Sequence, residues 1–492
     1  MNRICLVIFT VLAFTSCNRS FSTYASSEPR STAPAGAVSS SGPLVSYADV
    51  VDRVAPAVVT IRSSKRVRAP EQYPFMDDPL FRQFFGGSMP RGRRGGGNGN
   101  TEVERSLGSG VIVRADGYLL TNHHVVDGAQ DIKVELVGSR RTYSAKLVGS
   151  DPPSDLAVLK IEASGLPVLP LGDSDKTRVG DICLAVGNPL GVGESVTNGI
   201  ISAKGRQTGV GSGSFEDFLQ TDAPINQGNS GGALVNTRGE LIGINSQIMS
   251  STGGNIGIGF AIPSNMAKNV MTQLISGGKM QRSMLGAGVQ TMDGDLAQSF
   301  GMKDVHGVAI TSVVPDSPAE KAGLKSGDVV LKLNGQAVDD ANTLRNEIAN
   351  QKPGSDVTLT IFRDGRQMDV HARLTELTAD NAKPESDTDN SGGSTATPGS
   401  KLGLSVTPMT PDLAAQLKVP RNTKGLVVED VDPTGPAASA GIETGDVIQQ
   451  VNRQPVVTAQ DMKNALAKSN GRAPLLLINR QGQTVFVPVP QG

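Results

Sequence analysis

Tryptophan is absent from this 492-residue chain, aromatic residues make up 4% of it, and cysteine occurs three times. With so few rings beside 58 glycines and 29 prolines, long packed helices are excluded as the main architecture, and many turns and short strands are favoured. An excess of charge of one sign is also missing. Forty-six basic against 47 acidic side chains leave a net charge of −1, so no global field draws the protein to nucleic acid or acidic lipid. Partners must be sought at local sites. No apolar run near the N-terminus reaches the roughly 20 residues of a bilayer span.

The N-terminal apolar run, Ile4 to Phe14 after Asn2-Arg3, instead has the length and flank of an export signal. Two processing sites compete: Thr15-Ser16-Cys17 has the form of a lipoprotein box, and Thr23-Tyr24-Ala25 that of a small-residue cleavage site. The first reading gives a signal over 1–16 and an acyl anchor on Cys17; the second gives a signal over 1–25 and a periplasmic protein. Cys5 lies in the signal and only Cys183 in the folded part, so no intramolecular disulfide can staple the mature core. Cys183, between Ile182 and Leu184, reads as an inert strand residue.

Domains of roughly 100 to 200 residues suggest three or four units. Residues 26–44, rich in Ser, Ala, Pro and Thr, form a tether. Residues 45–278 then carry one large unit: Val50, Val51 and Val54 at helical spacing, Val58 to Ile61 as a β-branched strand, and recurrent short β runs from Leu107 to Ile262. Residues 63–106 interrupt it as a long loop with Phe75, Phe81, Phe84, Phe85 and an Arg/Gly tract. A helix with Ser264 as N-cap and Gly277-Gly278 as its stop closes the unit.

Behind it an internal repeat begins. Gly307-Val308, Pro318-Ala319, Ala322-Gly323, Gly327-Asp328 and Asn334 recur as Gly425-Leu426, Pro436-Ala437, Ala440-Gly441, Gly445-Asp446 and Asn452, at a constant offset of 118 positions. Two copies of one domain, 281–378 and 401–490, therefore flank a polar linker at 379–400.

Chemistry concentrates in three segments. Gly228-Asn229-Ser230-Gly231-Gly232 offers a serine on a flexible backbone whose amides, at Gly228, Asn229 and Ser230, can face a developing oxyanion. Thr121-Asn122-His123-His124-Val125 supplies a base, and Ser154-Asp155-Leu156-Ala157 an acid to orient it. The order His124, Asp155, Ser230 is a known order for this triad. His123 and His124, read as strand neighbours, point to opposite faces, so one alone can meet Ser230. Asp151, before Pro152-Pro153, is a rival acid that reads as a turn residue, and Asp222 stays outside the triad. No metal or other cofactor is called for, since His306 and His371 stand apart from any ligand cluster.

Thr-Asn-x-His-Val, Ser-Asp-Leu-Ala and Gly-Asn-Ser-Gly-Gly together resemble the HtrA (Deg) family of serine proteases, as do Ala185 to Pro189, Gln220 to Ala223 and Asn255 to Pro263. The resemblance implies a mainly β chain: a trypsin-like double β-barrel protease followed by two PDZ domains. It places the catalytic histidine before Val125, hence at His124, and makes His123 a supporting residue. It puts Asn245 and Ile248 at the substrate pocket, with cleavage after small aliphatic residues, and Arg206 in a sensor loop that relays peptide binding. Carboxylate-binding loops are implied at Leu285-Gly286-Ala287 and Leu402-Gly403-Leu404. It also implies unfolded proteins and peptide C-termini as partners and trimers or multiples of trimers as the assembly; no nucleic acid is expected, and membrane only through Cys17. A chaperone or scaffold with an idle protease is the competing reading, and a signalling protease with one membrane helix and one PDZ domain a third.

Overall fold

The computed structural model describes residues 46–68, 101–136, 141–188, 195–208, 215–226, 228–250, 254–378, 402–417, 419–421, 423–469 and 473–490. The signal, the tether, the phenylalanine and Arg/Gly segment and the 379–400 linker lie outside the described residues.

Short β-branched runs close into two barrels. The first runs in the order β1-β2-β3-β6-β5-β4, from β1 (Val58–Arg68), β2 (Thr101–Ile112), β3 (Tyr118–Thr121), β4 (Asp131–Leu136), β5 (Thr142–Asp151) and β6 (Leu156–Ile161). The second runs β10-β11-β12-β9-β8-β7, from β7 (Ile182–Gly187), β8 (Ser195–Arg206), β9 (Phe218–Thr221), β10 (Ala233–Asn236), β11 (Leu241–Ile248) and β12 (Gly259–Pro263). Closure leaves neither barrel an unpaired edge. Val58, Val111, Leu120 and Val158 of the first barrel pack with Leu184, Val186, Ala233 and Ile244 of the second in one buried cluster. That seam carries the candidate site.

Three sequence expectations change here. The long loop is shorter at both ends: Ser63 to Arg68 pair with Ser106 to Thr101, so β1 and β2 continue as a ribbon beyond the barrel. Polar residues do not stop a strand whose backbone groups find partners across the ladder. Ser264 is the first residue of the helix Ser264–Gly277 and not its cap; its hydroxyl donates to the Gly172 carbonyl at 2.8 Å, tying the helix to the barrel. At the other end Gly278, in the left-handed region, donates to Leu274 O at 2.9 Å and stops the helix. His123 and His124 lie in a helical turn, His123–Val126, where neighbours diverge by about 100° and do not alternate faces.

Each repeat is a β-sheet with flanking helices. The first has the order β14-β15-β16-β18-β19, from β14 (Ala287–Thr291), β15 (Val308–Val313), β16 (Val329–Leu333), β18 (Asp356–Arg363) and β19 (Arg366–Arg373), with the short β17 (Gln336–Ala337) on β16. Ahead of it β13 (Ser283–Met284) pairs with β20 (Thr375–Glu376). The second has the order β21-β22-β23-β25-β26, from β21 (Leu404–Pro408), β22 (Leu426–Val431), β23 (Val447–Val451), β25 (Leu475–Arg480) and β26 (Gln483–Pro488), with β24 (Gln454–Pro455) on β23. A buried carboxylate recurs with its arginine in both: Arg363 Nε donates to Asp328 at 2.6 Å and Arg480 Nε to Asp446 at 2.7 Å. The repeat is thus one of chemistry as well as spacing.

The units are joined by specific contacts. Arg282 pairs with Asp151 through Nη1–Oδ1 at 2.7 Å and Nη2–Oδ2 at 2.5 Å, and its guanidinium lies 4.5 Å from the centre of the Phe215 ring. Asn342 and Asn346, on the helix Ala341–Asn350, donate to the Glu216 carbonyl at 2.7 and 2.9 Å. The second repeat rests on the first through β26, where Gln290 exchanges two hydrogen bonds with the Phe486 backbone at 3.1 and 2.8 Å.

Candidate active site

Asp155 follows the 3-10 turn Pro152–Ser154 and adopts φ +53°, a left-handed conformation that an aspartate tolerates at some cost. The conformation aims its groups at one segment. The Asp155 carbonyl accepts from Asn122 Nδ2 at 3.0 Å and from the His123 amide at 3.1 Å, which holds the start of the helical turn. Its carboxylate accepts from the His124 amide at 3.0 Å and lies 3.0 and 2.9 Å from His124 Nδ1. An imidazole held at Nδ1 by a carboxylate presents Nε2 for proton transfer.

A further group completes the carboxylate's shell. Ser246 Oγ donates to Asp155 Oδ2 at 2.9 Å, and the Ser246 carbonyl accepts the hydroxyl proton of Ser230 at 3.1 Å. Burial alone would raise the Asp155 pKa, but the charge of His124 and the hydrogen bonds from His124 and Ser246 outweigh it and hold the group below the ordinary carboxylate range. Asp155 therefore stays ionised at neutral pH.

Ser230 is 2% exposed and its loop is braced from both barrels. Ser109 of β2 donates its amide to the Ser230 carbonyl at 2.8 Å and its hydroxyl to the Gly228 carbonyl at 2.6 Å, while its own carbonyl accepts from Thr121 Oγ1 at 2.7 Å. Gly231 has φ +81°, and a Cβ there would lie 2.2 Å from the Ser109 carbonyl, so only glycine lets the two barrels meet this closely. The Asn229 amide donates to Asn226 O at 3.0 Å, which turns it away from the oxyanion role and leaves the amides of Gly228 and Ser230 as candidates.

The structure places the other expected residues as follows. Asn245 is fully buried: its amide side chain donates to Ala233 O at 3.0 Å, and its backbone exchanges bonds with Gly231 and Gly232 at 2.8 and 2.9 Å, bracing the serine loop. Ile248 is 4% exposed and packs with Leu219, Ile225 and Leu234 inside the second barrel. Asp151 is no turn residue but the buried end of β5, committed to Arg282. His123 faces Asp127, with Nε2 3.5 Å from its carboxylate. Asp222 accepts from the Ile200 amide at 2.7 Å. Arg206 ends β8, exposed, with Nε donating to Gln220 at 3.2 Å. It borders a cavity of about 280 Å³ that is also lined by Thr291, Asp340 and Arg345.

The loops Leu285-Gly286-Ala287 and Leu402-Gly403-Leu404 enter the edge strands β14 and β21, with φ +77° at Gly286 and +72° at Gly403. Sequence reasoning missed Ser246 and Ser109. Ser246 stands in an alternating strand, Gly243-Ile244-Asn245-Ser246-Gln247-Ile248, and only the barrel closure brings that strand to Asp155.

Comparison with known proteins finds the same order of domains. Residues 108–244 match the model of a trypsin-like peptidase domain, and residues 283–374 and 394–478 each match a PDZ domain. The chain is 41% identical over 443 residues to the Chlamydia trachomatis protein named "Probable periplasmic serine endoprotease DegP-like", covering 90% of this chain and 85% of that one. It is 41% identical over 426 residues to the Haemophilus influenzae "Probable periplasmic serine protease do/HhoA-like", covering 86% and 87%. Among solved structures, the HtrA-type protease AlgW with tripeptide is 43% identical, with a TM-score of 0.55 over 68% of this chain and 98% of that chain.

Proposed function

We infer, from the premise that this chain belongs to the HtrA (DegP-like) family of periplasmic serine endoproteases, that it degrades unfolded or misfolded envelope proteins by acyl transfer at Ser230. The reading is carried by one observation: the Asp155 carboxylate meets His124 Nδ1 at 2.9 Å and Ser246 Oγ at 2.9 Å, and the Ser246 carbonyl holds the Ser230 hydroxyl. In this mechanism Ser230 Oγ attacks the scissile carbonyl as its proton passes to His124 Nε2. The C–N bond then breaks as His124 returns that proton to the leaving amine. Water, deprotonated by His124, opens the acyl-enzyme and frees the serine. The amides of Gly228 and Ser230 receive the oxyanion, and Asp155, ionised throughout, stabilises the imidazolium. In the resting rotamer the Ser230 proton points to Ser246, so substrate binding must turn it to His124.

The PDZ domains hold C-terminal segments of the same unfolded chains by β-addition to β14 and β21. Arg206, on the cavity wall shared with the first PDZ helix, relays that occupancy to the protease. We also place a holding, chaperone-like role and assembly into trimers or their multiples within this proposal, and leave lipidation of Cys17 as the alternative to a freely periplasmic form. Casein digestion tests the enzymatic part. Wild-type protein should degrade it, and Ser230→Ala should lose that activity with its unfolding midpoint kept. Cleavage unchanged by Ser230→Ala would leave the idle-protease chaperone as the better account.

A further inference from the structure

Resting on the reading that both PDZ domains capture peptide C-termini, we propose that their grooves select different peptides. The first takes an extended segment ending in a large apolar residue; the second takes only a short segment ending in a small one.

The difference begins at the strand edges. Leu285 to Thr291 and Leu402 to Pro408 are equivalent runs, and β14 and β21 are both edge strands. In the first, Met292 N donates to Gly307 O at 3.3 Å, while Thr291 lies opposite Val308. Gln290 and Met292 therefore bond inward to β15, and the amides and carbonyls of Val289 and Thr291 face the open edge. In the second, Met409 N donates to Gly425 O at 3.0 Å, which turns Val406 and Pro408 outward by the same alternation. Proline has no N–H. A peptide strand on β14 finds donors at both outward positions; on β21 it finds one, at Val406, and the Pro408 ring blunts the remainder of the edge.

The groove floors differ in the same direction. Ala287 is partly buried against the cluster that holds Leu344 of the helix Ala341–Asn350, and its single methyl takes up little of the room between strand and helix. At the equivalent position the larger Leu404 is buried in the cluster that holds Met462 of the helix Ala459–Ala467, which leaves less room there for a peptide's last side chain. Charge adds a third distinction. Thr291, at the end of β14, also lines the cavity of about 280 Å³ bordered by Arg206 and Arg345. The carboxylate of Asp340 there accepts from the Asn342 and Thr343 amides at 2.8 and 3.1 Å as a helix cap. The arginines then favour an acidic residue several positions before the peptide's end.

The test uses full-length Ser230→Ala protein, so that peptides are bound and not cut. One groove at a time is disabled. A Cβ at Gly286 would lie 2.3 Å from Ser317 Cβ, and one at Gly403 3.0 Å from Asp432 Cβ, both on left-handed backbone, so Gly286→Ala and Gly403→Ala distort the respective loops. The probes are fluorescein-labelled Glu-Ser-Thr-Tyr-Val-Leu and Tyr-Val-Leu, and the same pair ending in Ala, followed by anisotropy. With Gly403→Ala, the hexapeptide ending in Leu should bind about tenfold tighter than the tripeptide, and the Ala ending should weaken it by about tenfold. With Gly286→Ala, length should change affinity less than about twofold, and adding Pro408→Thr should create a length dependence of about fivefold. Equal length dependence in both backgrounds, or no effect of Pro408→Thr, overturns the proposal while leaving peptide capture intact. An amidated hexapeptide that binds as tightly as the free acid in both backgrounds overturns the carboxylate-capture reading itself, and failure of every peptide to bind the chain without groove changes overturns both.

Discussion

Arg282, at the entrance to the first PDZ domain, clamps Asp151 through two hydrogen bonds, 2.7 and 2.5 Å, four residues before Asp155. Both side chains are under 10% exposed, at 9% and 5%. Removing one partner of such a pair strands a buried charge and costs about 3 kcal/mol. Arg282→Met should therefore lower the unfolding midpoint of the full chain markedly, and Asp151→Asn with Arg282→Met should restore part of it. Calorimetry checks this, and a single mutant as stable as wild type contradicts a structural role for the pair.

Ser246 should matter to turnover more than to binding. It donates to Asp155 and holds the Ser230 hydroxyl through its carbonyl, which any residue would retain. Ser246→Ala loses only the bond to the carboxylate, and hydrogen bonds to charged groups contribute about 1.5–3 kcal/mol. The expected result is a fall in kcat of about 10- to 100-fold with KM nearly constant, largely rescued by Ser246→Thr. Steady-state kinetics on a chromogenic peptide decide it.

Acid should favour the protease–PDZ junction. Burial, with Asp175 and Asp340 nearby, pushes the Asp217 carboxyl up to about 6 from an ordinary 3.8; Glu347 adds to the effect and Lys204 opposes it. Because the native state holds this proton more tightly than the unfolded chain, stability falls as pH rises from about 4 through 6. Above that window the charged group is a standing cost. Asp217→Asn should flatten this part of the profile and raise the midpoint at pH 7.5, as thermal melts across pH would record.

Cys183 should be chemically silent. Burial pushes its thiol up to about 11, partly offset by the Thr221 hydroxyl 3.2 Å away. Peptide mapping after iodoacetamide should find Cys183 unmodified in native protein and alkylated in guanidinium.

Much of this was legible in the sequence because local chemistry dictated it. The glycines around Ser230, the paired motifs at His124 and Asp155, and the 118-residue repeat all carry their meaning within a few positions. What escaped depends on closure. Asn245 and Ser246 are neighbours on β11, yet one is sealed in the interior and the other reaches Asp155, a division set by barrel register. Asp151 resembled a turn residue because its partner lies 131 positions away, and the ends of the 63–106 insertion resembled loop because their ladder spans a gap that no local pattern marks. The helical turn at His123–Val126 is held by the Asp155 carbonyl, again a distant group.

The central claim is that Ser230 is made nucleophilic by His124. Diisopropyl fluorophosphate, which reacts with activated serines and spares ordinary ones, tests it directly by intact mass and peptide mapping. The account predicts one adduct per chain, on the peptide containing Ser230, abolished in His124→Ala and strongly slowed in Asp155→Asn. Labelling that persists unchanged in His124→Ala, or an adduct on another serine, would contradict it.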